Sequence, residues 1–110
     1  MHQSQVLQRK ELCATAGARY FRTLERVPGD SYQFERYAYS RDRDSCVCTY
    51  TRSTRQGEQF RVVADVFTNE TLMMWYQTRD GKDGGDMLNR SINTLAKFGD
   101  RLVALGLPRD

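Results

Sequence analysis

The apolar residues of this chain change their spacing once, at Pro28-Gly29-Asp30, and that change constrains the fold more than any other feature. Before it, Val6, Cys13, Ala16, Gly17, Tyr20, Phe21 and Leu24 recur at three- and four-residue steps, with Arg9, Lys10, Arg19, Arg22 and Glu25 between them. This spacing predicts an amphipathic helix from about Gln3 to Arg26 with a single buried stripe. Proline lacks a backbone donor and clashes with the preceding turn, and glycine permits the reversal, so the helix must stop there.

Beyond the stop the pattern has a period of two, as side chains on a strand alternate between faces. Tyr32 to Tyr39 predicts a first strand whose alternation slips near Glu35-Arg36, because Tyr32 and Phe34 hold one phase and Tyr37 and Tyr39 the other. A β-bulge explains the slip. Ser40 to Ser45 is a polar turn, after which Cys46, Cys48 and Tyr50 share one face of a second strand. Past the loop Ser53 to Glu58, Phe60, Val62, Ala64 and Val66 share a face of a third strand. Arg61, Val63, Asp65 and Phe67 take its other face, and two partly apolar faces suit a central strand. The turn at Thr68-Asn69-Glu70-Thr71 leads into a fourth strand, Leu72 to Thr78.

Arg79 to Gly85 reads as a flexible glycine- and aspartate-rich loop, and Asp86 as the N-cap of a last helix. In that helix Leu88, Ile92, Leu95, Gly99, Leu102 and Gly106 would share a face, the Asp86 carboxylate accepting the open amides of the first turn. Gly106-Leu107-Pro108 ends it. At 110 residues the chain is expected to form one domain, with a core over about 5–106. The economical α+β arrangement places both helices on one face of a four-stranded antiparallel meander.

The longest apolar run, Leu72 to Tyr76, is far below the roughly 18 residues of a membrane span or a signal-peptide core. That suits a cytoplasmic protein and the mature part of an exported one equally. Net charge is +3, from 14 Arg and 3 Lys against the acids. Segment 36–61 carries the excess, with Arg36, Arg41, Arg43, Arg52, Arg55 and Arg61 against Asp42, Asp44 and Glu58. Such clustering attracts phosphates or acidic partners. The same arginines also serve as a solvated sheet face that discourages edge pairing, and a charge of +3 is mild for a dedicated nucleic-acid binder.

Catalytic constellations are scarce. The one histidine, His2, stands in an N-terminal segment expected to fray, so neither a Ser-His-Asp nor a Cys-His pairing can be built. Asp65 is the only acid inside an apolar strand, and pairing with a strand-facing arginine such as Arg61 or Arg36 accounts for it. Structural zinc needs four ligands, which Cys13, Cys46 and Cys48 do not supply. The Asp80 to Asp86 loop departs from calcium loops at Lys82 and Ser91, and from phosphate loops because Lys82 is followed by Asp83. The sequons at Asn69 and Asn89 are short enough to arise by chance. No metal or cofactor is expected.

Three cysteines do not make a complete disulfide framework. Cys13 lies on the helix stripe, and Cys46 and Cys48 share a strand face, so the residues leave two states open. In one, Cys13 bridges to Cys46 or Cys48 and closes a loop of more than 30 residues, worth roughly 3 to 4 kcal/mol. In the other, all three are reduced, buried, small hydrophobes.

Five tyrosines, at 32, 37, 39, 50 and 76, fall in the predicted strands beside arginines. Aromatic and arginine side chains are enriched at protein interfaces, and aromatics among cations also stack single-stranded nucleic acid. Tyrosine favours strands for structural reasons as well. The residues most exposed to a contact role by position are Tyr37, Tyr39, Arg41 and Arg43.

The order of a cysteine in the first helix, Tyr39 before Cys46, and Asp65-Val66-Phe67 before Met73-Met74-Trp75-Tyr76 resembles a loose group of small bacterial exported or lipoprotein-type domains over about residues 10–78. The resemblance implies a periplasmic or secreted location and a Cys13–Cys46 bridge. Cys48 departs from that pattern and puts the bridging partner in question. The resemblance brings no activity with it. The expected function is therefore a non-enzymatic module that binds a protein or other macromolecule. The alternatives are nucleic-acid binding through the same sheet face, and an enzyme built on Asp65, Cys46 or Cys48. Oligomeric state is left open.

Overall fold

A computed structural model describes residues 3–109, with side chains from Leu7 onward. His2 and the side chain of Val6 lie outside that description. Helix α1 spans Gln3–Thr23, five strands follow as β1 (Ser31–Ser40), β2 (Ser45–Ser53), β3 (Gln59–Asp65), β4 (Glu70–Gln77) and β5 (Asp83–Asp86), and α2 (Leu95–Ala104) closes the chain. The strands form one antiparallel sheet in chain order. The α+β class and the meander hold, with one strand more than expected.

The first strand carries the expected bulge. Phe34 pairs with Tyr50 and Arg36 with Thr49, leaving Glu35 as the extra residue. The extra residue restores the phase, so Tyr32, Phe34, Tyr37 and Tyr39 all lie on the face that carries Cys46, Cys48 and Tyr50. Helix α1 covers this cysteine face. Its stripe delivers Tyr20, Phe21 and Leu24 onto Cys48, Tyr50, Val62 and Ala64, and the Phe21 ring lies 5.9 Å from Tyr50 and 5.3 Å from Phe34. Gly17 is required where the helix approaches β1, because a Cβ there would sit 2.8 Å from that of Tyr37.

The last helix covers the opposite face, which corrects the expectation that both helices share one. Phe98, Leu102, Leu105 and Leu107 cluster with Val47, Val63, Met73 and Trp75, residues that alternate in register with the cysteine face. The central strands are apolar on both sides, so each face needs its own cover. Leu95, expected in the buried stripe, is exposed, while Ile92 packs against this core from the preceding loop.

Two further expectations change for a common reason. Asp83–Asp86 is a short edge strand, not a loop, because the backbone of β4 offers it a ladder: Trp75 pairs with Asp86 and Gln77 with Asp83. Asp86 is thereby buried in the sheet, where its Oδ1 accepts from the Met74 and Leu88 amides at 3.1 and 2.9 Å. It does not cap the helix. Thr94 does, its hydroxyl accepting from the Lys97 amide at 3.2 Å. The far end stops as expected: Gly106 adopts φ 87°, its amide bonds the Val103 carbonyl and the Leu107 amide bonds that of Leu102. That is the paired-bond termination that favours glycine.

Candidate functional site

The turn between β1 and β2 is the point where most of the singled-out residues meet. Its rigidity comes from Asp65 at the end of β3, which is fully buried. One carboxylate oxygen accepts from Ser45 Oγ at 2.6 Å and from the Phe67 and Thr68 amides at 3.0 and 3.1 Å. The other lies 3.0 Å from Arg43 Nε. Burial pushes this carboxyl up, but the bonds from Ser45, Thr68, Arg43 and Phe67 together outweigh it and hold the group below the ordinary carboxylate range. Asp65 thus ties the β1–β2 turn to the β3–β4 turn and acts as a structural anchor.

The arginine partner differs from the expected Arg61 or Arg36. Arg61 shares the face of Asp65 but stands four residues back along the strand, about 13 Å away at the rise of an extended chain. It pairs with Glu35 of the bulge at 3.4 Å instead. Arg43 reaches Asp65 because the turn folds over the end of β3. Its Nη2 also lies 3.5 Å from Glu70, so this member of the expected contact set is committed to the fold.

Tyr37, Tyr39 and Arg41 are placed differently from one another. Tyr37 is 41% exposed beside Gly17 of α1. Tyr39 donates its hydroxyl proton to Asp44, which also receives Arg9 at 3.1 Å. The hydrogen bond to Asp44, followed by burial, holds the Tyr39 hydroxyl above its usual pKa. Arg41 is exposed at the tip of the turn.

Tyr39 and Arg41 line an open cleft of about 380 Å³. Lys10 of α1 and Asp42 of the turn also line it, and Val103, Ala104 and Gly106 supply a wall from the end of α2. Gly106 brings this wall close, since a Cβ there would lie 3.2 Å from the Tyr39 carbonyl oxygen. The structure therefore gathers two of the four expected contact residues and adds residues from both ends of the chain. Lys10 carried no signal beyond its place between stripe positions, and Val103 none beyond its place outside the last helix's stripe.

The cysteines resolve into a Cys13–Cys46 disulfide, with 5.1 Å between Cα atoms, and a buried free Cys48. Burial pushes the Cys48 thiol up to about 12, which removes the thiolate needed for nucleophilic or exchange chemistry at neutral pH. Among the described residues no group of three His, Cys, Asp or Glu side chains is arranged to hold a metal. A smaller cleft of about 200 Å³ lies between α2 and the opposite sheet face, beside Arg61, Trp75 and Asp83. Two of its polar groups are engaged internally, Arg61 with Glu35 and Trp75 Nε1 with Asp83 at 3.1 Å. Among the described residues no helix is long and apolar enough to cross a membrane.

Comparison of the chain with protein-family models, curated proteins and solved structures finds no match.

Proposed function

We propose that this domain is a non-enzymatic binding module that recognises a protein partner at the cleft beside Tyr39 and Arg41, with Tyr37 on the adjoining surface. The observation that carries the reading is how the reactive and contact-bearing groups divide. Asp65 is consumed by four hydrogen-bond donors, Cys13 and Cys46 by each other, and Cys48 by burial. The open concavity is lined by the Tyr39 ring, whose hydroxyl is bonded to Asp44, by Lys10, Arg41 and Asp42, and by a small apolar wall. Tyrosine and arginine are the residue types among these that protein recognition surfaces enrich.

Nucleic-acid binding through the same arginines gains less support. Arg43, Arg52 and Arg61 of the basic segment are held by Asp65, Asp30 and Glu35, which removes half of its cations from phosphate contact. The Cys13–Cys46 bridge supports an oxidising, exported setting, as the resemblance to small exported bacterial domains implies.

A photo-crosslinking residue at position 41 tests the reading in the cells of origin, with the same residue at position 90 as control. The expected result is a discrete protein adduct from position 41 that Tyr37→Ala weakens. Adducts with nucleic acid, or equal adducts from both positions, would overturn it.

A further inference from the structure

We infer that the cleft takes an acidic segment of the partner, its carboxylates seated on Lys10 and Arg41 and an apolar side chain of the same segment against Val103. This rests on the binding-module reading and adds the chemistry of the occupant.

The charge arrangement around the rim is selective. Arg9 is held by Asp44, and Arg43 by Asp65 and Glu70. Lys10 and Arg41 line the cleft and form no ion pair among the described residues. They stand on different elements, Lys10 on α1 and Arg41 on the turn, and both line the concavity. Among the described residues Asp42 is the one acid in the lining, and the three charged side chains Lys10, Arg41 and Asp42 together carry a surplus of one positive charge. Carboxylates are the complementary groups, and an arginine fork receives them with two parallel hydrogen bonds.

The end of α2 would ordinarily oppose an anion, since the last carbonyls of a helix carry partial negative charge. Here the Leu105, Gly106 and Leu107 amides cap the Arg101, Val103 and Leu102 carbonyls. The side chains of the wall are those of Val103, 51% exposed, and Ala104. A lining that combines an apolar wall with two cations suits a peptide that carries both apolar and acidic residues. In an extended segment neighbouring side chains point to opposite faces, so the segment must bend over the cleft for glutamates beside the apolar residue to turn back onto the cations. The volume of about 380 Å³ lies in the range of sites for small ligands and holds a few side chains.

The test uses three acetylated, amidated peptides, Glu-Leu-Glu-Leu-Glu and its Gln and Lys counterparts, titrated into the isotope-labelled oxidised domain and followed by NMR. A thymidine oligonucleotide forms a fourth arm. The expected result is saturable shifts at the Tyr39, Arg41, Val103 and Gly106 amides with the Glu peptide, at least fivefold tighter than with the Gln peptide. Lys10→Glu combined with Arg41→Glu should invert the ranking in favour of the Lys peptide, and both positions are exposed, so the fold is not at stake. Equal binding of Glu and Gln peptides at the cleft would overturn the acidic occupant while leaving a protein-binding cleft. Tighter binding of the oligonucleotide there would overturn both. Absence of saturable shifts with every peptide overturns the acidic occupant, and the crosslinking result then judges the module reading alone.

Discussion

Arg43 and Asp65 meet with 3.0 Å between guanidinium and carboxylate, and through that contact the β1–β2 turn is fastened to the β3–β4 turn. The candidate cleft sits on the first of these turns, so its shape depends on a contact that takes no part in binding.

Replacing Asp65 with Ala leaves a half-buried guanidinium, a hydroxyl and two amides without this acceptor, and about 3 kcal/mol of stability should be lost at neutral pH. The lowered folded-state pKa of Asp65 fixes the pH dependence. Its contribution is complete above the unfolded-state value and disappears as pH falls through the folded-state value. Urea denaturation of the wild type and of Asp65→Asn should therefore show a gap at neutral pH that narrows in strong acid. A gap independent of pH would contradict the assignment.

The Cys13–Cys46 bridge closes a loop with a sequence separation of 33, for which chain entropy gives about 3 to 4 kcal/mol. Reduction, or Cys13→Ser with Cys46→Ser, should lower stability by about that amount. Intact mass after alkylation of the unfolded, non-reduced chain should show a single modified cysteine, Cys48. In the folded protein Cys48 should resist alkylation, because it is buried and its thiol lies at about 12.

Gly17→Ala should behave contrary to helix propensity. The exchange ordinarily gains about 1 kcal/mol in a helix interior. Here the new methyl would lie 2.8 Å from Tyr37 Cβ, and overpacking of this kind costs about 1 to 3 kcal/mol. A thermal melt should move down, and a double-mutant cycle with Tyr37→Gly should show positive coupling. An upward shift would place α1 farther from β1.

Leu102→Ala and Phe21→Ala probe the two faces separately. Leu102 is buried against the tryptophan side, and its truncation should cost about 2 to 5 kcal/mol. Phe21 packs on the cysteine side with Tyr50 and Phe34. Since the sheet separates them, the two losses should add within about 0.5 kcal/mol in denaturant titrations. Strong coupling would mean that both helices share one face.

What was legible locally was legible for local reasons. The phase slip at Glu35-Arg36 disclosed the bulge, since inserting one residue is the way a strand keeps its aromatics on one side. The contact residues were half readable. Tyr39 and Arg41 lie in a turn that the sequence marks, whereas Arg43 was diverted by Asp65, some 22 positions away. Lys10 and Val103 joined the cleft from opposite ends of the chain, and no local pattern announces such a meeting.

By itself the sequence determined the first helix with its stripe, although the helix ends at Thr23, ahead of the Pro28-Gly29-Asp30 break expected to stop it, and also the order of the four principal strands and the Gly106 termination. Each follows from periodicity or from a backbone conformation that few residues adopt. The tertiary structure alone decided that Asp83–Asp86 pairs as a fifth strand, that the last helix begins at Leu95, and that it covers the face opposite α1. The physical reason is shared. A strand apolar on both sides records that both must be covered, and a free strand edge that it can be paired. Which segment does so depends on where the connecting chain can reach.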